Sequence, residues 1–476
     1  MSATQLGDIR HCLEGAIPSV MSTCSGDGMP NVAYISQVYY VDERHVALSF
    51  QFFNKTRQNI LANPRATVLL LDPRTAAFYR LHIRYLRTET AGPLFEGMKA
   101  QLAGIASHTG MQGVFRLLGS DVYEVEQIEA VDGDPLPAPP ARCGMLTAVR
   151  RCSERLARCT SLDEALNSVL ATLSDFAGVE YAMVLMHDSS TQRLYTVASS
   201  GYRTSGVGSE IGMGQGVIGV AARERTPVRI MHMTNAYLYS QAMRSSFEAN
   251  VPDIEAATEI PYPGLAEPHS QLAVPVLSAG RLLGVLFVES PNELQFGFED
   301  EDMLVSMAGH LGAAIDLMHA STEAAETAPA IGTPAASGSS SASASAFASV
   351  MASASASAST SASANSAASA VLQLRRFASN DSVFIGDTYL IKGVAGAILW
   401  KLLKDHAQHG RTEFSNRELR LDSTLRLPDV TDNLEARLVL LRRRLCEHGP
   451  YIRIEKTGRG RFRLALQRPV NLVEVT

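Results

Sequence analysis

The sequence predicts a multidomain α+β chain, and three observations carry that expectation. Its 476 residues are enough for about three domains of ordinary size. Residues 321–370 change abruptly to Ala, Ser, Thr, Gly and Pro, separating two foldable stretches from a third. The patterns on either side also differ in kind: strand alternation first, then helices around strands, then a basic helical tail.

Composition narrows the class. With 46% hydrophobic residues the chain has enough apolar material for packed cores. No run approaches the roughly 18 uninterrupted apolar residues of a membrane span. The opening residues, Met1 to Arg10, lack the basic-then-apolar order of a signal peptide. Cys12, Cys24, Cys143, Cys152, Cys159 and Cys446 form no C-x-x-C pair and no metal-ligand spacing. The expectation is a cytoplasmic protein with reduced thiols, no membrane segment and no metal. Charge is uneven: from Val371 onward 19 Lys and Arg stand against 12 Asp and Glu, although the whole chain is at −6. A basic terminal module on an acidic body fits a nucleic-acid partner for that module.

In the first block, Pro18 to Thr23, Asn31 to Tyr40, His45 to Phe50 and Ala66 to Leu71 alternate as strands. Gly26-Asp27-Gly28 turns the first pair. Lys55 to Ala62 predicts a helix ending at Asn63-Pro64, and Tyr123 to Val131 closes the block. The segment Ser49 to Pro64, in this order of elements, resembles the flavin-binding split barrel of the pyridoxamine 5'-phosphate oxidase-like family. The resemblance implies FMN, its phosphate gripped by the pair seven and eight residues before the Asn-Pro. Those positions hold Lys55 and Thr56 here, where the family has Arg and Lys. The implied cofactor-binding set is Ser49, Gln51, Asn54, Lys55 and Thr56, in a domain of residues 1–134. The alternative is a barrel without flavin that packs or dimerises.

After the stiff spacer Pro135 to Pro140, Met145 to Cys159 reads as a helix. Ser161 and Glu164 have capping-box spacing before another. Tyr181 to His187, Arg193 to Ser199, Val228 to Met231, Gln271 to Val276 and Leu282 to Glu289 read as strands. A last helix starts at Phe298, with acidic residues in its first turn, and runs through Met318. Gly214-x-Gly216-x-x-Gly219, Leu272 to Val276 and Leu283 to Glu289, in that order, resemble a GAF domain over 145–320. The resemblance implies a small-molecule effector held between the sheet and the stretch from Met231 to His269. His232, Tyr237, Tyr239, Arg244 and His269 are its candidate pocket residues, each of which also suits plain surface or packing. No cysteine lies between Cys159 and Cys446, which excludes a covalently held tetrapyrrole or a cysteine metal centre there.

Residues 321–370 have almost nothing to bury and read as a disordered Ala/Ser-rich linker, spanning on the order of 40 Å as a coil. In the tail, Gly393 to His409 reads as a helix, and Ser415 with Glu418 forms a capping box for a second. Leu434, Leu438, Leu441 and Leu445 form the apolar stripe of a third. Ile452 to Ile454 and Phe462 to Leu464 alternate around the basic turn Lys456 to Arg461. Glu435, Leu441-Arg442-Arg443, Leu445, Gly458-Arg459-Gly460 and Phe462-Arg463-Leu464 resemble the winged helix-turn-helix of response-regulator output domains, over 371–476. The resemblance implies DNA contact through Arg437, Arg442, Arg443, Arg459 and Arg461. Val439 and Leu440 stand where that family often has base-facing arginines, and Arg461 is one residue more than its wing carries. The combined expectation is a homodimeric, ligand- or redox-responsive transcriptional regulator. An FMN-dependent oxidoreductase regulated by its other domains is the alternative, and a protein-binding terminal module, favoured by Val439 and Leu440, is a third reading.

Overall fold

Strand alternation in the first block folds as expected into hairpins, but the sheet is larger than the sequence suggests. The computed structural model describes residues 4–13, 19–51, 55–92, 94–99, 102, 116–137, 144–231, 260–327, 371–422, 425 and 434–475. Strands β1 (Ser19–Cys24), β2 (Pro30–Ile35), β3 (Val38–Asp42), β4 (His45–Phe50), β5 (Arg65–Leu71), β6 (Phe78–Glu89) and β7 (Gly119–Ala130) form one antiparallel sheet in the order β2-β1-β5-β6-β7-β4-β3. Helix α1 (Lys55–Ala62) joins β4 to β5. Met21 of β1, Val38 of β3, Val68 of β5, Leu81 of β6 and Tyr123 of β7 meet in one core, so the sheet curls into a barrel-like shape. The expected single strand from Asn31 to Tyr40 is two strands, broken at Ser36-Gln37. β2 and β3 lie at opposite ends of the strand order, and only a break lets the chain pass from one end to the other.

β6 escaped the sequence pattern because its outer face is charged. Arg80 pairs with Glu129, and Arg84 with Glu124, across β7, so apolar alternation is masked by cross-strand ion pairs. Beyond β6, residues 94–99 are helical, and Phe95, Met98, Leu102 and Leu117 pack on Ala47 as a second small core.

The second module begins with α2 (Met145–Leu156) and α3 (Leu162–Ala177). Ser161 caps α3, its hydroxyl accepting from the Glu164 amide. The reciprocal arm goes one residue further back, since Glu164 Oε2 takes the Thr160 amide at 2.8 Å. Strands β8 (Tyr181–Asp188), β9 (Arg193–Ser200), β10 (Glu210–Gly212), β11 (Val228–Ile230), β12 (Ser270–Ser278) and β13 (Arg281–Ser290) form an antiparallel sheet ordered β10-β9-β8-β13-β12-β11. Helix α4 (Gly216–Glu224) covers one face, where Val217, Val220 and Ala221 pack on Met183, Ala273 and Phe287. Gly214 ahead of it and Gly216 at its first position both take positive φ. Helix α5 (Phe298–Thr327) lies on the other face. A side chain at Gly312 would sit 2.4 Å from the Leu277 carbonyl, so glycine sets how closely α5 approaches β12. α5 outruns the expected boundary at Ser321, because Ala324 and Ala325 extend a helix as readily as they fill a linker. The rest of the expected linker, 328–370, lies outside the described residues.

In the terminal stretch, β14 (Leu372–Phe377), β15 (Ser382–Ile385) and β16 (Thr388–Ile391) join β20 (Val470–Val475), which runs parallel to β14. Between them come α6 (Gly393–His409), β17 (Glu413–Ser415), α7 (Asn416–Leu421), α8 (Leu434–Glu447), β18 (Ile452–Gly458) and β19 (Arg461–Leu466). Ser415 and Glu418 make both arms of the expected capping box at α7. The chain forms two compact units, Met1–Met318 with Leu427–Arg444, and His319–Arg426 with Leu445–Thr476. No helix among the described residues is long and apolar enough to cross a membrane.

Candidate functional site

The barrel-like sheet brings Ser49, Gln51 and Thr56 to one half-open cleft with Arg57, Asp121 and Tyr123. Ser49 is the penultimate residue of β4, Thr56 the second of α1, and Asp121 comes from β7, so three elements converge there. Gln51 donates through Nε2 to Ser36 Oγ at 3.1 Å, while its buried Oε1 finds no hydrogen-bond partner among the described residues. Thr56 Oγ1 accepts from Asn31 Nδ2 at 2.9 Å, which ties α1 to β2. Lys55 is exposed and does not line the cleft, and Asn54 lies outside the described residues.

Arg57, absent from the residues implied by resemblance, is the cation inside the cleft. It forms an ion pair with Asp121, donates to Thr88 Oγ1 at 2.7 Å, and lies 4.7 Å and 5.3 Å from the Phe50 and Tyr85 ring centroids. Burial pushes the Asp121 carboxyl up, against the Thr88 hydrogen bond and the Arg57 charge. The pair is separated by 64 positions in sequence, so no local pattern announces it. An aromatic-walled cleft with an unsatisfied amide oxygen and nearby hydroxyls fits a flavin ring system. The phosphate end would depend on Lys55 and the first turn of α1. There the chain would bind and orient the flavin, which when bound supplies electron-transfer chemistry.

Two further clusters lay beyond sequence reasoning. His11, Cys12 and Asp72 bring three potential ligand atoms within 4.8 Å of one another. Asp72, however, already receives His11 Nε2 at 2.8 Å, Thr75 Oγ1 at 2.7 Å and the Arg74 amide at 2.8 Å. Burial and the Asp72 charge push the Cys12 thiol up to about 12. This group works as a turn clasp. In the second module, Glu289 on β13 is only 1% exposed. It accepts the Leu265 amide at 2.8 Å and Gln271 Nε2 at 3.0 Å, holding the segment before β12 against the sheet. Burial raises its pKa despite those bonds, and Tyr202 beside it is raised too. The one signal for it in the sequence is a charge ending the apolar run Leu282 to Val288. Of the expected effector residues, His232, Tyr237, Tyr239 and Arg244 lie outside the described residues. His269 is half-buried, its Nδ1 3.5 Å from Glu293 Oε1.

Two family models match separate parts of the chain. The family described as pyridoxamine 5'-phosphate oxidase matches residues 7–126, and the GAF domain family matches residues 159–316. The chain carries a pyridoxamine 5'-phosphate oxidase-like domain and a GAF domain. Among solved structures, the GAF domain of an Acinetobacter phosphoenolpyruvate-protein phosphotransferase is 23% identical, covering 37% of this chain and 94% of its own, with a TM-score of 0.30. An FMN-binding protein from Syntrophomonas wolfei is 17% identical over 27% of this chain and 86% of its own, with a TM-score of 0.24. Free methionine-R-sulfoxide reductase from Neisseria meningitidis is 19% identical over 39% and 96%, with a TM-score of 0.30. At these scores the likeness carries no statement about activity. No curated protein matches the chain.

The basic residues expected at DNA fall into two groups. Arg459 and Arg461 are exposed, flanking Gly460 at the turn of β18–β19, and Gly460 takes a positive φ of 64°. Arg437, Arg442 and Arg443 lie on α8, and two of them engage the GAF domain. Arg437 is 6% exposed, forms an ion pair with Asp188 at 2.7 Å, and stacks 4.1 Å from the Tyr195 ring centroid. Burial opposes ionisation of Asp188, but Arg437 and hydrogen bonds from Ser190 and Thr191 outweigh it and hold the carboxyl at about 2. Arg443 binds Asp163 through Nε and Nη2 at 3.0 Å and 2.7 Å, Asn167 Oδ1 at 2.7 Å, and the Val197 carbonyl at 2.9 Å. Arg442 is half-buried.

Proposed function

We propose that this protein is a transcriptional regulator that responds to a ligand or to redox state. The pyridoxamine 5'-phosphate oxidase-like and GAF domains sense, and the terminal helices and hairpin bind DNA. The carrying observation is the exposed pair Arg459 and Arg461 at the turn of a hairpin that follows three helices. A basic hairpin beside a helix suits phosphate contact along a duplex, which is sequence-independent and weakened by salt. FMN is the proposed cofactor of the barrel cleft, and the GAF domain is the proposed seat of a small effector. The full chain should retard duplex DNA, with affinity falling steeply as salt rises. Changing Arg459→Ala and Arg461→Ala together should weaken all sequences alike and flatten the salt dependence by about two phosphate contacts. Unchanged retardation in a folded double variant overturns the role of the hairpin.

A second reading, an FMN-dependent oxidoreductase, is favoured by the unsatisfied Gln51 oxygen in the cleft. Purified protein that is yellow and oxidises a nicotinamide cofactor supports it. Flavin-loaded or flavin-free protein that binds DNA and oxidises no nicotinamide supports the regulator.

A further inference from the structure

Helix α8 is unusual for a DNA-reading helix in what covers it. Ala436, Leu438, Val439, Leu440 and Leu441 are all buried, as are Arg437 and Arg444. An amphipathic surface helix buries one stripe and leaves the rest to water. Burial of both the Leu438–Leu441 stripe and the intervening Val439 and Leu440 requires a second partner surface. The GAF domain supplies it. Leu440 and Arg444 lie over the bare backbone of Gly208, where an added Cβ would come within 3.6 Å of Leu440 Cδ1 and 3.8 Å of Arg444 Cδ. On either side of that apolar seat, Asp188 and Tyr195 take Arg437, while Asp163, Asn167 and the Val197 carbonyl take Arg443. The contact therefore has an apolar centre and two charged clamps, each an arginine met by a carboxylate.

We infer that this face of the GAF domain, formed by the start of α3, the end of β8 and β9, holds α8 in a closed state and competes with DNA for its arginines. The inference rests on the proposed DNA-binding role and adds its regulation. Val439 and Leu440, which depart from the base-facing arginines of the resembling family, are explained by it: they fit a protein surface better than a groove. A guanidinium clamped by a buried carboxylate is unavailable to phosphate, so apparent DNA affinity scales with the fraction of molecules in which α8 is released. An effector that binds the released form more tightly than the closed one would raise that fraction.

The first variants alter only the GAF side, and all variants leave every arginine in place. Asp188→Asn keeps the oxygen that accepts from Ser190 and Thr191 at the β8 turn and removes the charge facing Arg437. Asp163→Asn removes the charge facing Arg443. In the full chain carrying both, amide hydrogen exchange over 434–444 should accelerate by about tenfold or more, and retardation of duplex DNA should strengthen by a similar factor. Circular dichroism and unchanged exchange in β12 and β13 establish that the fold is kept. Leu440→Asp, which attacks the apolar seat instead, should give the same release. Faster exchange with no retardation in either protein upholds the docking and overturns the DNA-binding reading. Unchanged exchange in α8 in all variants, or faster exchange with retardation equal to that of the unaltered protein, overturns the closed state.

Discussion

At the scale of single residues, the two modules each bury a charge whose partner decides its cost. Arg57 and Asp121 are 11% and 8% exposed as side chains. Removing one member of such a pair leaves the other charged and uncompensated. Arg57→Ala should therefore destabilise the barrel by about 3–5 kcal/mol, read from urea unfolding of the flavin-free protein. A loss within the ordinary surface range would mean that Asp121 sheds its charge by protonation. Glu289 behaves differently, because its pKa is raised on folding and its neutral form is the one the fold prefers. The unfolded chain ionises near the ordinary 4.5, so the folded state holds more protons above that value. Stability contributed by this group is complete at acid pH and declines as pH rises through the folded value. Glu289→Gln keeps an acceptor for the Leu265 amide and should flatten that decline. An identical pH profile in the variant would show that other groups set it.

At the scale of elements, α1 carries the flavin question. It opens with Lys55, exposed at the helix start, and no acidic residue occupies its first turn. A lysine and the positive end of a helix together suit a phosphate. FMN should bind more tightly than riboflavin, and Lys55→Ala should cost about 1.5–3 kcal/mol of FMN affinity, the range for a charged hydrogen bond. Fluorescence quenching titrations of both flavins provide the check, and equal affinities for the two would place the phosphate elsewhere. Arg57 is a poor substitute, since its charge is already met by Asp121 inside the cleft.

At the scale of the whole molecule, assembly is the open property with the clearest surface signal. Leu146 on α2 is 83% exposed and Val305 on α5 is 42% exposed, both apolar residues on helices that flank the GAF sheet. Tyr34 and Val32 are also exposed, on the edge strand β2 of the barrel. Edge strands and apolar helix faces left to water are liabilities that a second copy removes. The full chain should be a homodimer by light scattering at micromolar concentration, and Leu146→Glu with Val305→Glu should shift it toward monomer. A monomeric unaltered chain would overturn this arrangement.

How much of this was legible follows from the range of each interaction. Local signals survived translation: Lys55–Ala62 and Gly393–His409 were bounded to the residue, because a helix start and stop are written within one turn of themselves. Apolar strands such as β12 and β13 were found within a few residues for the same reason. Strand β6 was lost because its face carries arginines whose partners lie on β7, and the sheet of β14, β15, β16 and β20 because its parallel pairing joins segments about a hundred residues apart. The candidate site divides along the same line. Ser49, Gln51 and Thr56 were reachable through their place beside the Asn63-Pro64 motif. Arg57 with Asp121, Glu289 with the Leu265 amide, and Arg437 with Asp188 were not, since each is a pairing of distant positions that only folding brings together. Sequence alone thus determined the order of the pyridoxamine 5'-phosphate oxidase-like and GAF modules, most of the helices and the basic character of the tail. Tertiary structure alone decided which of those charges are buried and paired and which still face solvent, because the cost of burying a charge depends on the partner it meets in space and not on its neighbours in the chain.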